Sequence, residues 1–487
     1  MLKFQAMAFG LMLVGSIFLE GLTAGEPVRL TIKWRQRVIF HPAHEEQIQQ
    51  QARRYAEEGT VAIPQFRNVA VGDVIFKRSL KMIDAIDLQS GKLIWTYPWS
   101  DSEAAFEPER EREIRERIWF DAAFASLTAH GDRVFCLNAT TLRPQGNNPI
   151  VIKRGARAAV QSSVDANRTI ALEISTQGKL QWRQPDEDKP QPLDDIRYLG
   201  SGAVQKDQFL SAGLAENVLH FAALDVANGK YLWHVPLLTL EEDDPTLTMP
   251  TSRWPLVNPV VMGKRAICAT GFARLVAVDL ETHKVDWTLA YREFKDPPPQ
   301  TQAPDEPWNM RRGSPQRAPF PQPQVEWPLR NWLDNALLPA GDLVIATPID
   351  SSSLLCIDPA TGKEIWRRER GEHLFAAVQD DVCLLIGPRR ISAVRVADGT
   401  PSWEERSVEL PEGALVSGRG AFDGDGYLLP DSLGNLHRIA WRTGESQILF
   451  QEEYPLGNLM LHQGHLLSQG SDWLSCYSYK SSAKQAD

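Results

Sequence analysis

A catalytic or metal site in this chain would have to be built from its ten histidines, five cysteines and 62 Asp and Glu residues. Two histidine pairs, His41 with His44 and His462 with His465, have the i, i+3 spacing that can offer two imidazoles to one metal ion. Neither has a cysteine or a clear carboxylate companion, and the second straddles a strand turn, so no metal site is expected. Asp423-Gly424-Asp425-Gly426 could suggest calcium, but a tight turn between two strands explains it better. Cys136, Cys268, Cys356, Cys383 and Cys476 each sit in an apolar run such as Val134-Phe135-Cys136-Leu137. None is adjacent to another or in C-x-x-C spacing, which argues against redox, haem-attachment and zinc chemistry and for small buried hydrophobes. Nucleophile elbows, Walker loops and H-E-x-x-H helices are absent, so no catalytic residue is expected.

What remains is recognition chemistry. Arg67 and Asn68, Ser126, Ser201, Asn258, Asn335, Arg419 and Asn458 are polar residues that each stand just ahead of an apolar alternating run. Most of them can simply cap strands and bond water. Arg67 and Arg419 can do more, because two guanidinium groups brought together clamp a carboxylate or phosphate. Whether they meet depends on the elements that carry them.

Those elements repeat. Seven copies of an apolar run, a polar turn and a second apolar run place a turn residue four positions before a tryptophan. The pairs are Gly91 and Trp95, Gly178 and Trp182, Gly229 and Trp233, His283 and Trp287, Gly362 and Trp366, and Gly399 and Trp403; the seventh, at Gly444, carries Ile448 where the others carry Trp. This is the pattern of a β-hairpin, with glycine supplying the positive φ of the turn. Asp87, Asp225, Asp279 and Asp358, four residues before the turn residue, can accept hydrogen bonds from turn amides. His283, replacing glycine, predicts a changed turn. Two further short runs precede each hairpin, as in 68–73 and 74–76, so the unit has four strands, and many such units close into a β-propeller.

From Cys356 to Trp366 the repeat matches almost verbatim A-x-D-x-x-T-G-x-x-x-W, and over most of residues 28 to 480 the chain resembles the pyrroloquinoline-quinone-like (PQQ-like) repeat family. After the seventh hairpin, residues 458–479 supply three strands, and 28–34, ending in Trp34, can supply the fourth and latch the ring, as the resemblance also implies. The expectation is an all-β, eight-bladed propeller over residues 26–480, with Trp34, Trp95, Trp182, Trp233, Trp287, Trp366 and Trp403 in equivalent places between blades.

Six stretches interrupt the repeat: 36–62, 100–125, 140–168, 185–196, 238–255 and 293–334. Two read as helices, over 43–58 and 109–118, the latter with a charge run taken as a solvated face. Residues 297–328 hold ten prolines and read as an extended loop. Propeller topology sends every one of the six to the same face, where loops on a rigid scaffold carry function.

The resemblance offers two functions. Quinoprotein dehydrogenases hold PQQ on the channel axis between a tryptophan and a disulfide of adjacent cysteines, with calcium and an Asp base; this chain has no adjacent cysteines, no C-x-x-C-H and no recognisable calcium segment. The chain is also similar to the non-catalytic periplasmic scaffold propellers of outer-membrane assembly, though it lacks a lipid-bearing cysteine and carries larger insertions. The expectation is a binding or protein-interaction scaffold without a cofactor, with a PQQ and calcium alcohol or sugar dehydrogenase as the alternative, and with a protein or small anionic ligand at the decorated face.

Lys3 ahead of an apolar run from Phe4 to Leu19, then Thr23, Ala24 and Gly25, reads as an export signal over 1–25. That run is short of the roughly 20 residues of a membrane span, so the mature chain is expected free in the periplasm or outside the cell. Residues 481–487 read as a disordered tail. A net charge of −10 removes the attraction to phosphate backbones that nucleic-acid binding needs. A monomer is expected.

Overall fold

The computed structural model describes residues 30–38, 42–80, 82–97, 111–138, 167–186, 192–193, 196–241, 254–292, 332–404 and 406–479. The export signal, the proline-rich stretch 297–328, the terminal tail and most of 140–168 and 238–255 lie outside the described residues.

Eight antiparallel sheets follow one another along the chain as the blades of a propeller. Blades 1 to 7 span 69–97, 127–184, 197–239, 260–290, 336–369, 375–409 and 421–451. Blade 8 takes three strands from 458–478 and its outer strand, Thr31–Arg37, from the other end of the chain. That strand pairs antiparallel with Trp473–Ser478, with Thr31 opposite Ser478 and Arg37 opposite Trp473. It therefore continues three residues past Trp34, further than the apolar alternation of 28–34 suggested. In blade 3 the inner position is shared by two short strands, Arg197–Tyr198 and Ala203–Gln205, both paired with Gln208–Ala215.

Burial follows position in the blade. The second and third strands are covered on both faces by neighbouring blades, and Val74–Arg78 and Ile83–Asp87 are nearly all buried. The outer strand has one covered face, so Tyr231–Thr239 alternates.

The tryptophans join blade to blade. A Cβ placed on Gly91, Gly178, Gly229, Gly362, Gly399 or Gly444 would fall 2.5–2.8 Å from the ring of Trp34, Trp95, Trp182, Trp287, Trp366 or Trp403, respectively. Each indole lies flat on the hairpin turn of the next blade, and only a residue without a side chain lets it approach. Indole N–H groups then reach a carbonyl of that blade: Trp34 to Leu88 at 2.8 Å, Trp182 to Val226 at 2.9 Å, Trp366 to Val396 at 2.7 Å and Trp403 to Trp441 at 2.9 Å.

Two departures are informative. His283 does not change the turn: it keeps φ at 55°, and its amide bonds Asp279 O as the amide of Gly91 bonds Asp87 O. What changes is the contact, since Trp233 stacks on the imidazole at 4.4 Å and its indole N–H has no partner among the described residues. Ile448, where the seventh Trp is missing, faces blade 8, whose outer two strands come from opposite ends of the chain. No hairpin turn exists there to receive an indole, and Ile448 is exposed.

The described helical connections gather on one face. Helix α1 (Pro42–Glu57) links the outer strand of blade 8 to blade 1, while α2 (Glu111–Trp119) and α3 (Ala122–Ala125) link blade 1 to blade 2. Tyr55 of α1 meets Trp119 of α2 edge to face at 5.5 Å. The charge run of α2 is not wholly solvated: Glu116 and Arg117 are buried, Arg117 pairs with Asp121 at 3.2 Å, and its guanidinium covers the Phe124 ring at 4.0 Å. Arg78 of blade 1 also lies against that ring, at 3.6 Å, so α3 is held between two cations. Among the described residues, no helix is long and apolar enough to cross a membrane.

Candidate functional site

The inner strands of all eight blades begin at the decorated face, so residues just ahead of them converge on one mouth of the central channel. Arg67 precedes blade 1 and Arg419 precedes blade 7, and the two do meet. They meet on a carboxylate of the chain itself. Asp334, which precedes blade 5, accepts from Arg419 Nη2 at 2.5 Å and Nε at 2.8 Å, and from Arg67 Nη2 at 2.7 Å. Blades 1 and 5 stand opposite each other in an eight-membered ring, so this ion pair crosses the mouth.

Arg419 is saturated. Its Nη1 donates to Pro64 O at 3.0 Å and to Asn458 Oδ1 at 3.2 Å, its Nη2 also reaches Gln65 Oε1 at 3.2 Å, and the residue is only 7% exposed. Arg67 is different. Among the described residues Asp334 is its single hydrogen-bond partner, and 46% of its side chain is open to solvent. The segment 61–66 that brings Pro64 and Gln65 here runs along the mouth: Ile63 packs among blade 6 and 7 residues such as Phe375 and Tyr427, and Gln65 N bonds Ile118 O.

The charges tune one another. Burial pushes the Asp334 carboxyl up, but Arg419 and Arg67 together outweigh it and hold it at about 2. Arg67 is drawn down to about 10, first by desolvation among its neighbours and then by Arg419, with Asp334 opposing.

The other strand-start residues stitch blades together. Asn458 donates to Pro64 O and Phe66 O, both at 2.8 Å, and accepts from Arg419 N. Asn335 reaches back to Leu256 O and Ala269 O in blade 4; Asn258 accepts from Gly202 N of blade 3. Ser126 accepts from Ser201 N, and the Ser201 hydroxyl bonds Thr128 across the blade 2 and 3 junction. Of these, Asn68 alone keeps a buried Oδ1 without a partner among the described residues. Sequence reasoning missed Asp334, Gln65 and Pro64. Asp334 stood next to Asn335 at a strand start, so the rule that selected its neighbour would have found it.

The metal and redox candidates are occupied by structural contacts. Asp423 accepts from Gly426 N and from Arg438 Nε, both at 2.8 Å. His462 donates to Gly72 O, and His465 donates to Gln463 O and accepts from Lys33. His41 and the side chain of His44 lie outside the described residues. Among the described residues no three His, Cys, Asp or Glu side chains gather as a metal set. The five cysteines are free, buried and spread over five blades, and burial pushes Cys136 up to about 11 and Cys268 and Cys356 up to about 12. These residues do not fit a quinone held by adjacent cysteines, and the mouth of the channel is crossed by Asp334 and its arginines.

Comparisons with known proteins follow the fold. A family model described as the outer membrane protein assembly factor BamB matches residues 82–300 and 318–448. No curated protein sequence matches the chain. Among solved structures, BamB from Moraxella catarrhalis superposes with a TM-score of 0.52 at 12% identity, covering 92% of this chain and all of the other. The quinohemoprotein alcohol dehydrogenase from Comamonas testosteroni superposes with a TM-score of 0.50, also at 12% identity, over 92% of this chain and 76% of the enzyme. At that identity both likenesses establish the fold alone.

Proposed function

Because the chain belongs to the family of the outer membrane protein assembly factor BamB, we propose that it is an exported propeller scaffold that holds a protein partner on its decorated face. The observation that carries this reading is the one-sidedness of the ring. Helices α1, α2 and α3 sit at one face, while among the described residues the other bears only short turns such as Gly72, Gly263 and Gly362. A ring needs none of the additions for closure, since blades 5 to 7 close without them.

The test is photocrosslinking in the cells that make the protein. A crosslinker at Gln50 or Arg53, exposed on α1, should trap a discrete partner, and one at Asn228 or Lys363, exposed on the bare face, should not. Trapping from the bare face alone would reverse the assignment. We further expect that the mature protein given PQQ and calcium binds no stoichiometric quinone and oxidises no alcohol or aldose with an artificial acceptor. Dye reduction above a boiled control would replace the scaffold reading with the dehydrogenase reading.

A further inference from the structure

The channel mouth holds two guanidinium groups and one carboxylate, and the surplus positive charge is not shared equally. Arg419 has every nitrogen engaged and almost no exposure. Arg67 spends only Nη2, on Asp334, and among the described residues its Nε and Nη1 make no hydrogen bond. The unspent charge therefore sits on the free part of Arg67. Among the described residues the charged and titratable groups that bear on it most are Arg419, Asp334 and Tyr427, and the carboxylate among them, Asp334, is already shared with Arg419. Like charge from Arg419 makes an added anion welcome at this point, and a concave channel concentrates the field there.

We propose that the free edge of Arg67 binds one small oxyanion of the carboxylate class inside the channel. Asp334 already demonstrates the fit of a carboxylate to this guanidinium, through a single 2.7 Å contact that leaves four of its five N–H groups for further oxygens. Segment 61–66 runs along the mouth and the Asp334 bridge crosses it, which favours a small ligand over a folded acidic surface. Asn68, next along the chain, has a buried Oδ1 without a hydrogen-bond partner among the described residues and lies beside Arg67 in sequence.

Titration calorimetry of the mature protein with succinate and, separately, inorganic phosphate tests this and tells the two oxyanion sources apart. Succinate should bind with a dissociation constant at or below about 1 mM and weaken as salt is added. Arg67→Ala should weaken binding at least tenfold with the melting temperature unchanged, because Asp334 keeps Arg419. Asp334→Asn, which removes the competing negative charge, should strengthen it. Stronger binding of phosphate than of succinate would overturn the carboxylate assignment. No heat from either anion at about 10 mM, or equal affinity in Arg67→Ala, would overturn the site itself. Partner crosslinking from α1 does not depend on Arg67, so failure here and failure of the scaffold reading are separable.

Discussion

Asp334 and Arg419 share a geometry that Arg67 does not, and the difference is energetic. Removing Arg419 strands a mostly buried carboxylate and leaves Pro64, Gln65 and Asn458 short of a donor, a loss of roughly 3 kcal/mol by analogy with other broken buried pairs. Removing Arg67 breaks a half-exposed contact worth under about 1 kcal/mol. Urea denaturation of Arg419→Met and Arg67→Ala should therefore separate clearly, and equal losses would contradict the burial argument. An acid limb follows from the same residues. The folded Asp334 sits at about 2, below the ordinary aspartate range, so its stabilisation is fully present above the unfolded pKa near 4 and is lost as pH falls through about 2. Asp334→Asn should flatten the part of the stability profile between pH 4 and 2, and a profile parallel to wild type would remove Asp334 from the account.

The hairpin turn with its tryptophan is the element on which the ring depends. At Gly362 a φ of 70° and a Trp287 ring atom 2.5 Å from any added Cβ act together. Gly362→Ala should cost roughly 2–4 kcal/mol, the sum of a left-handed alanine and an overpacked contact. Trp366→Ala, which empties the space over Gly399, should cost about 3–5 kcal/mol. Thermal unfolding checks both, and a change of a degree or less in either would mean the indoles are ornaments of the interface. This element was legible in the sequence because its parts are local: the turn residue, the Asp before it and the Trp after it lie within nine residues. The strand starts were only half legible. Their polarity could be read, but which residues pair across a channel depends on blades 1, 5 and 7 closing into one ring, hundreds of residues apart. So Arg67 and Arg419 could be picked out, and Asp334 with them as a polar strand start, while the ion pair that joins the three across the mouth could not. The inward turn of Glu116 and Arg117 was hidden for a related reason: periodicity marks apolar faces and says nothing of a cation stacked on Phe124.

Across the whole molecule, seven junctions carry an indole lying on the next blade and the eighth does not. At the junction of blades 7 and 8 the joining contacts are polar instead: Tyr477 donates to Glu452, Tyr479 to Asp423, and Arg35 pairs with Glu452 at 3.2 Å. The same blade is closed by a strand from the far end of the chain, so its last ladder is paid for by the largest loop-closure entropy in the molecule. Both features place the weakest opening at this seam. Native-state hydrogen exchange should find the amides of Thr31–Arg37 and Trp473–Ser478 opening at lower free energy than those of Gln208–Ala215 and Val218–Asp225 in blade 3. Deleting residues 30–37 should expose the Trp473–Ser478 edge and produce aggregation or a large fall in melting temperature. A ring that exchanges first in blade 3, or a truncated chain that melts like the intact one, would mean that closure does not depend on the latch.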